Sequence, residues 1–453
     1  MFQSVNPLTQ ELLVSFPTVT DETIEQVLSN AHLAQKKWKV LPLHERAAKL
    51  LKLAGKIEQN HERLARLATL EMGKTYAEAK LEVLKCMTAC EYYATNAEAI
   101  LKPSETIHTD GRKVMIKHEP LGTVLGVFPW NFPYWQIIRS AVPVVMSGNT
   151  MVVKPAPNVP QCALALQELM NEVGLGDGIV QTIFADPDQI ASMIADPRIH
   201  ATTLTGSEKA GSAVAGAAAS HIKKSVLELG GSDPFIVLAD ADLELVMKNA
   251  ISARFQNNGQ SCIASKRYIV DASVADQFLS MLIAETKKLV IGNPMEETVN
   301  IGPLARIDLK EKLEAQVNES VKAGAKILYQ AGYDHKDSCF YPPTILGSIP
   351  ETSAAYSEEL FGPVLAFYIV NSVDEAITLA NSTEFGLGAT IWSRDKKQAE
   401  QYADRVESGQ VFINAVTRSH TAFPFGGIKK SGYGREMGPQ GLLEFCSVKT
   451  IWS

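Results

Sequence analysis

Apolar residues recur three to four positions apart through the first hundred residues. Ile24, Val27, Leu28, Ala31 and Ala34 follow the cap candidates Thr20 and Asp21, and similar stripes run over residues 50–57 and 81–92. This spacing predicts helices in series from Asp21 to about Lys102, since it returns side chains to one helical face. The region reads as scaffold. The period then changes over residues 106–109 and 112–117, on either side of Asp110-Gly111. That pattern predicts a hairpin closed by a type I′ turn, because Asp-Gly supplies the positive φ angles such a turn needs. The run from Glu444 to Trp452 has a comparable strand pattern. Hairpin and tail suit an arm that pairs with a neighbouring subunit, with an ordinary surface hairpin and a terminal edge strand as the plain alternative.

From Leu121 strand and helix patterns alternate: strands over 123–128, 150–153, 180–184 and 202–205, with helices starting near Tyr134, Gln161 and Glu208. Such alternation predicts a doubly wound parallel sheet, whose ligands sit at the carboxyl ends of strands. The strand ending at Thr205 runs into Gly206-Ser207 and a helix of small residues, where backbone can approach a ligand closely and a helix N-terminus attracts phosphate. It departs from the G-x-G-x-x-G pattern, so alone it is a weak sign. A second α/β region begins near Gly230-Gly231 and the strand 234–238, and continues to about Gly427.

A chain of 453 residues exceeds what one core organises, so two or three domains are expected. A net charge of -7 without any Lys/Arg cluster argues against nucleic acid or an acidic membrane surface as partner. Six scattered cysteines suit a reducing compartment. Cys86 and Cys90 are four apart on a helical pattern, yet no third and fourth ligand lies near them, so packing is expected there and no metal site. The amino terminus lacks the basic and apolar regions of a signal peptide, and no apolar run approaches the ~18 residues that span a bilayer. A cytoplasmic protein is expected.

Four stretches carry candidate chemistry. Pro129-Trp130-Asn131-Phe132-Pro133 follows a buried-looking strand, and its two prolines restrict the backbone that aims the Asn131 amide; a turn asparagine is the plain alternative. Leu227-Glu228-Leu229-Gly230-Gly231 sets a carboxylate inside an apolar strand, where burial raises its pKa and makes a usable base, or where it is simply a hydrogen-bonded structural residue. Phe255-Gln256-Asn257-Asn258-Gly259-Gln260-Ser261-Cys262 ends in a thiol on a loop between a helix and the β-rich run 266–270, a place suited to attack on a substrate. Glu358-Glu359-Leu360-Phe361-Gly362-Pro363 puts an acid and an aromatic beside a rigid turn, which alone is also an ordinary helix end.

In this order and spacing, and with Lys154-Pro155-Ala156, Gly206-Ser207, Asn414 and Pro424-Phe425-Gly426-Gly427, these residues resemble the aldehyde dehydrogenase superfamily over essentially the whole chain. The resemblance implies an α/β fold of three parts: a Rossmann-type dinucleotide-binding domain (1–102 and 120–229), an α/β catalytic domain (230–428), and a β-arm for oligomerisation (103–119 and 429–453). It implies Cys262 as nucleophile, Glu228 as general base and Asn131 as oxyanion donor. It also implies a nicotinamide cofactor held by Trp130, Lys154, Ala156, Pro157, Gly206, Ser207, Glu359 and Phe361, with Lys154 on the adenosine ribose, Glu359 on the nicotinamide ribose and Phe361 as a wall. A homodimer or homotetramer is implied as well.

The chain looks most like the short bacterial succinate-semialdehyde dehydrogenases. In these the distal carboxylate of the substrate is held by an arginine and a serine that correspond to Arg139 and Ser419, with Arg418 as a fallback; a structural ion pair is the other reading of Arg139. Many NAD-specific relatives carry a glutamate three residues after the lysine, whereas this chain has Pro157, so NADP is accepted alongside NAD with a slight lean to NADP. A CoA-acylating semialdehyde dehydrogenase and a dehydrogenase of another small aliphatic aldehyde remain the alternative activities. A cofactor-free cysteine hydrolase would ordinarily want a histidine base, and none lies close in sequence to Cys262. Ile263 and Ala264 follow Cys262 where some relatives place a second cysteine, so no disulfide can form within the loop.

Overall fold

The computed structural model describes residues 1–333 and 338–453. The predicted helical series is observed as Asp21–Trp38, Leu43–Gln59, His61–Met72 and Tyr76–Leu101. The first opens as its cap residues predict, with the Thr20 side chain accepting from the Thr23 amide. The buried stripes of the last three helices pack with the helices Trp135–Met146 and Pro160–Glu172 into one apolar core, against which Trp130, Phe132, Cys262 and Ile263 also rest.

Two α/β sheets lie on either side of that thiol. The first is six-stranded, in the order Gly432–Tyr433, Lys224–Glu228, Ile199–Thr205, Thr123–Val127, Thr150–Lys154 and Val180–Thr182. All its pairings are parallel except that of the two-residue strand at 432–433. The register sets Thr205 beside Glu228 and Val127 beside Leu204. The loops beginning at residues 128, 206 and 229 therefore leave one common edge, the carboxyl edge where a doubly wound sheet collects ligands. The second sheet is seven-stranded, in the order Lys326–Gln330, Thr344–Gly347, Val364–Val370, Ser265–Asp271, Asp233–Val237, Gly388–Trp392 and Gln410–Ile413. Cys262 and the segment with Glu359 and Phe361 enter the amino ends of its neighbouring strands Ser265–Asp271 and Val364–Val370.

The strand Cys446–Trp452 pairs antiparallel with Lys113–Pro120 of the same chain, and Ser104–Ile107 adds on the other side. The turn between Ser104–Ile107 and Lys113–Pro120 differs from the expected type I′. Gly111 has φ 86°, but Asp110 keeps a negative φ. Its carboxylate instead accepts from the Arg112 amide at 3.1 Å and from Arg112 Nε at 2.9 Å, a local interaction that competes with the turn geometry asparagine or glycine would adopt. Two elements escaped the periodicity. The short N-terminal hairpin of Phe2–Val5 and Leu12–Phe16 is one. The helix Pro187–Ala195 is the other; its capping box of Asp186 and Gln189, with proline in the first turn, was the signal that marked it.

Candidate active site

The loop before Cys262 is built on an unusual backbone. Asn257, Asn258 and Gly259 have φ of 58°, 56° and 74° in succession, a left-handed run that asparagine and glycine tolerate better than other residues. Gly259 is required twice over, since a Cβ there would lie 2.4 Å from the Gly362 carbonyl oxygen. The two asparagine side chains anchor the run. Asn257 Nδ2 donates to the carbonyls of Asn131 and Gln260 at 2.9 Å each, and Asn258 Nδ2 donates to those of Gly73 at 2.9 Å and Pro303 at 3.0 Å.

Cys262 stands at the junction of two cavities and, with Gln136, lines both. The larger, of about 520 Å³, is walled by Trp130, Asn131, Gly206, Ser207, Glu359 and Phe361 among others. Trp130 and Phe361 meet edge to face with ring centroids 5.7 Å apart. Ser207 caps the helix Glu208–Ser220 by accepting from the Ala210 amide, so the helix N-terminus opens on this cavity. Glu359 Oε1 accepts from the Gly231 amide at 3.1 Å and pairs with Lys266 Nζ at 2.9 Å. Gly230 leaves room for it, because a Cβ there would sit 2.6 Å from Glu359 Oε2.

Asn131 is buried, with Nδ2 donating to the Gln260 carbonyl at 3.2 Å. One amide hydrogen remains to be given to an oxygen in the cavity. Burial pushes the Cys262 thiol up to about 11, against the pull of Arg139 and Lys266, while Glu359 and Glu228 add to the rise. Glu228 is fully enclosed and neither carboxylate oxygen has a hydrogen-bond partner among the described residues. Desolvation holds its pKa well above the usual carboxylate range; Arg139 opposes the shift and Glu436 adds to it. The adjoining Leu229 and Gly230 line the larger cavity, but Glu228 itself lines neither.

Lys154, Ala156 and Pro157 lie apart from both cavities, beside the N-terminal strand. Gln3 donates its amide to the Pro157 carbonyl at 2.8 Å, and Lys154 Nζ stands 5.4 Å from the centre of the Phe2 ring. Burial lowers the Lys154 pKa to about 8, and no acidic side chain pairs with it among the described residues.

The smaller cavity, of about 130 Å³, has Phe132, Trp135, Ile263 and Phe425 for walls and receives Arg139, Arg418 and Ser419. Arg139 is not free there. Its Nε lies 2.5 Å from Glu436 Oε2, both side chains almost wholly buried, and its Nη2 donates to Thr205 Oγ1 at 3.3 Å. The ion pair left open by the sequence is thus present. Arg418 is exposed. Ser419 is reached through a turn at Asn414, which has φ 53° and brackets Ser393 with its side-chain amide, donating to the carbonyl at 2.8 Å and accepting from the amide at 3.0 Å. Ser419 Oγ accepts from Lys85 Nζ at 2.7 Å and from Trp135 Nε1 at 3.1 Å.

Sequence reasoning missed Lys85, Lys266 and Glu436. Lys85 had a weak signal: with Glu82 it puts charge into an otherwise apolar helical stripe. Lys266 is the second residue of a strand buried over all but its last position, and nothing near Glu436 in sequence points to Arg139.

Comparison with known proteins gives a consistent answer. The model of the aldehyde dehydrogenase family matches residues 1–451. The chain is 42% identical over 451 residues, 99% of each sequence, to "Succinate-semialdehyde dehydrogenase [NADP(+)] 1" of Mycobacterium tuberculosis. It is 41% identical over 449 residues to the succinate semialdehyde dehydrogenase [NAD(P)+] of Escherichia coli, covering 99% of this chain and 97% of the other. Among solved structures, the succinic semialdehyde dehydrogenase of Streptococcus pyogenes in complex with NADP+ superposes with a TM-score of 0.97 at 37% identity, with all of both chains covered.

Proposed function

Since the chain belongs to the aldehyde dehydrogenase family, we propose that it oxidises succinate semialdehyde to succinate, with NADP as the preferred hydride acceptor and NAD as the second choice. The observation that carries this reading is the position of Cys262 where the two cavities meet. One cavity offers an aromatic wall, an anchored carboxylate and a helix N-terminus to a dinucleotide; the other offers cations and a hydroxyl to an anionic aldehyde.

Cys262 Sγ, as thiolate, adds to the aldehyde carbon and makes it tetrahedral. The oxygen of that adduct gains negative charge, which the free Asn131 amide hydrogen and the Cys262 backbone N–H stabilise by ~3 kcal/mol per donor. When bound, the nicotinamide supplies the carbon that accepts the hydride, which leaves a thioester on Cys262. Glu228 then takes a proton from the water that attacks the thioester; lying behind the cavity wall, it acts by side-chain rotation or through one bridging water. Glu359, held by Lys266 and the Gly231 amide, would accept hydrogen bonds from the nicotinamide ribose hydroxyls. Lys154 would hold the adenosine ribose, and Pro157 would offer no carboxylate to repel a 2′-phosphate. Ser419 and Arg139 serve the substrate carboxylate, Arg139 chiefly through its field, because its Nε is paired with Glu436 and its Nη2 donates to Thr205.

The dinucleotide-binding part is assigned to 1–102 and 120–229, the catalytic part to 230–428, and the subunit-pairing arm to 103–119 and 429–453. We place the protein in the cytoplasm as a homo-oligomer. No helix among the described residues is long and apolar enough to cross a membrane.

A steady-state panel tests the activity. Succinate semialdehyde, butanal and other aldehydes are run against NADP and NAD, with and without CoA, following the absorbance of the reduced nicotinamide. The expected result is the highest kcat/KM for succinate semialdehyde with NADP and free succinate as product. Absence of cofactor reduction with every aldehyde, or a preference for butanal, would overturn the proposal.

A further inference from the structure

The smaller cavity contains hydrogen-bond donors with hydrogens left over. Ser419 Oγ receives hydrogen bonds from both Lys85 Nζ and Trp135 Nε1. A hydroxyl has two acceptor sites and one proton, so with both sites filled the remaining function of Ser419 is to donate. Lys85 has three N–H groups, and Ser419 takes one. Its ammonium also stands 4.2 Å from the centre of the Trp135 ring, which favours the charged form and fixes its position.

No carboxylate pairs with Lys85 among the described residues. Glu82, one turn earlier on the same helix, is already filled: Oε2 holds Lys74 at 2.5 Å, and Oε1 accepts from the amides of Tyr134 and Trp135 at 2.9 and 3.0 Å. Glu78 also lines the cavity, but its oxygens accept from the Asn257 amide at 2.8 Å and Thr75 Oγ1 at 3.1 Å. Arg139 is bound to Glu436. A half-buried ammonium and a hydroxyl proton thus converge on a small space shared with the reactive thiol.

We propose that Lys85, together with the Ser419 hydroxyl, is the group that directly binds the distal carboxylate of the substrate and sets the preference for carboxylated over uncharged aldehydes. This rests on the proposed oxidation of succinate semialdehyde. It assigns the direct contact to the helix Tyr76–Leu101, and leaves Arg139, paired through Nε with Glu436, as a structural cation in the same wall. The groups facing the Lys85 ammonium are Glu78, Glu82 and Cys86 on its own helix, Arg139 on the helix Trp135–Met146, Cys262 on the thiol loop and Arg418 on the loop before Ser419. Burial, with Arg139 next in effect, lowers the Lys85 pKa to about 8 against the opposing pull of Cys86, Glu82 and Cys262. The selectivity is therefore fully present below that pH and fades above it.

The test is the ratio of kcat/KM for succinate semialdehyde to kcat/KM for butanal, measured from pH 6.5 to ~9.5 on the full-length enzyme with NADP. Taking the ratio cancels the ionisation of Cys262, which both substrates share. The wild-type ratio is expected to fall as pH passes ~8. In Lys85→Met it is expected to be lower at pH 7 by roughly 10- to 100-fold, the value of one charge-assisted hydrogen bond, and flat with pH. Lys85→Arg is expected to restore part of the ratio and to hold it through pH ~9.5, since guanidinium stays charged. A ratio unchanged in Lys85→Met, or one that falls only in Arg418→Ala, would overturn the assignment. If the wild-type enzyme shows no preference for succinate semialdehyde, the proposed function fails too; a preference that survives Lys85→Met removes the Lys85 inference alone.

Discussion

Lys266 links Cys262 to Glu359: its ammonium donates to the Cys262 carbonyl at 2.7 Å and to the Ser261 carbonyl at 2.8 Å while pairing with Glu359 Oε1 at 2.9 Å. One buried cation therefore sets the spacing between the thiol and a carboxylate on the opposite wall, and it also lowers the thiol pKa. Lys266→Met is expected to shift thiolate formation to higher pH and leave Glu359 partly buried without its cation. Alkylation of Cys262 by iodoacetamide at pH 8 should slow by about tenfold, the equivalent of one pKa unit. A Cys262→Ala control, itself inactive in aldehyde oxidation, identifies the reacting thiol.

Glu228 trades stability for chemistry. Its pKa in the fold is raised by desolvation. Folding therefore binds a proton more tightly there, and the carboxyl subtracts from stability as pH rises above the unfolded value of ~4.3 toward the folded one. Glu228→Gln should melt above the parent at pH 8, with the gap shrinking toward pH 5. The same variant should accumulate acyl-enzyme and turn over slowly. A variant that shows no acyl-enzyme and normal turnover would remove Glu228 from deacylation.

The buried pair Arg139–Glu436 makes a different kind of prediction. Arg139→Leu leaves Glu436 enclosed without its partner, and removal of one member of such a pair costs ~3–5 kcal/mol. Thermal melts should register this loss before any substrate is added. Replacing both residues, as Arg139→Leu with Glu436→Leu, should recover most of the stability. The double variant then reports what Arg139 contributes to selectivity without the confounding strain.

Position 157 tests nucleotide choice. Pro157 is exposed and uses only its carbonyl, so Pro157→Glu keeps the hydrogen bond from Gln3. An added carboxylate should repel a 2′-phosphate and lower kcat/KM with NADP by about 5- to 30-fold, equivalent to ~1–2 kcal/mol, with NAD little changed. Equal effects on both cofactors would show that the position does not face the phosphate.

Much of this molecule is written locally. The helical stripes of residues 21–102, the alternation from 121 onward, the loops carrying Asn131 and Cys262 and the strand ending at Glu228 all follow from neighbours in sequence, because period and turn chemistry are local properties. The partners were not legible. Arg139 meets Glu436 across nearly three hundred residues and Lys85 meets Ser419 across 334. Such pairings depend on which helix face packs toward which loop, and no spacing rule contains that. Asp110 failed in the opposite way: the dipeptide suggested a turn type, and a side chain two residues away chose another.

The left-handed run at Asn257–Gly259 has a consequence for how the enzyme comes into being. Its anchors are the carbonyls of Gly73, Asn131 and Pro303, so the strained backbone is secured only after segments from three distant parts of the chain have come together. A ribosome must have passed residue 303 before the thiol has a fixed address. Loop closures of this span are slow relative to local helix formation. Until those segments meet, nothing holds Cys262 beside Asn131 at the junction of the two cavities, so the geometry of the site is a product of long-range assembly.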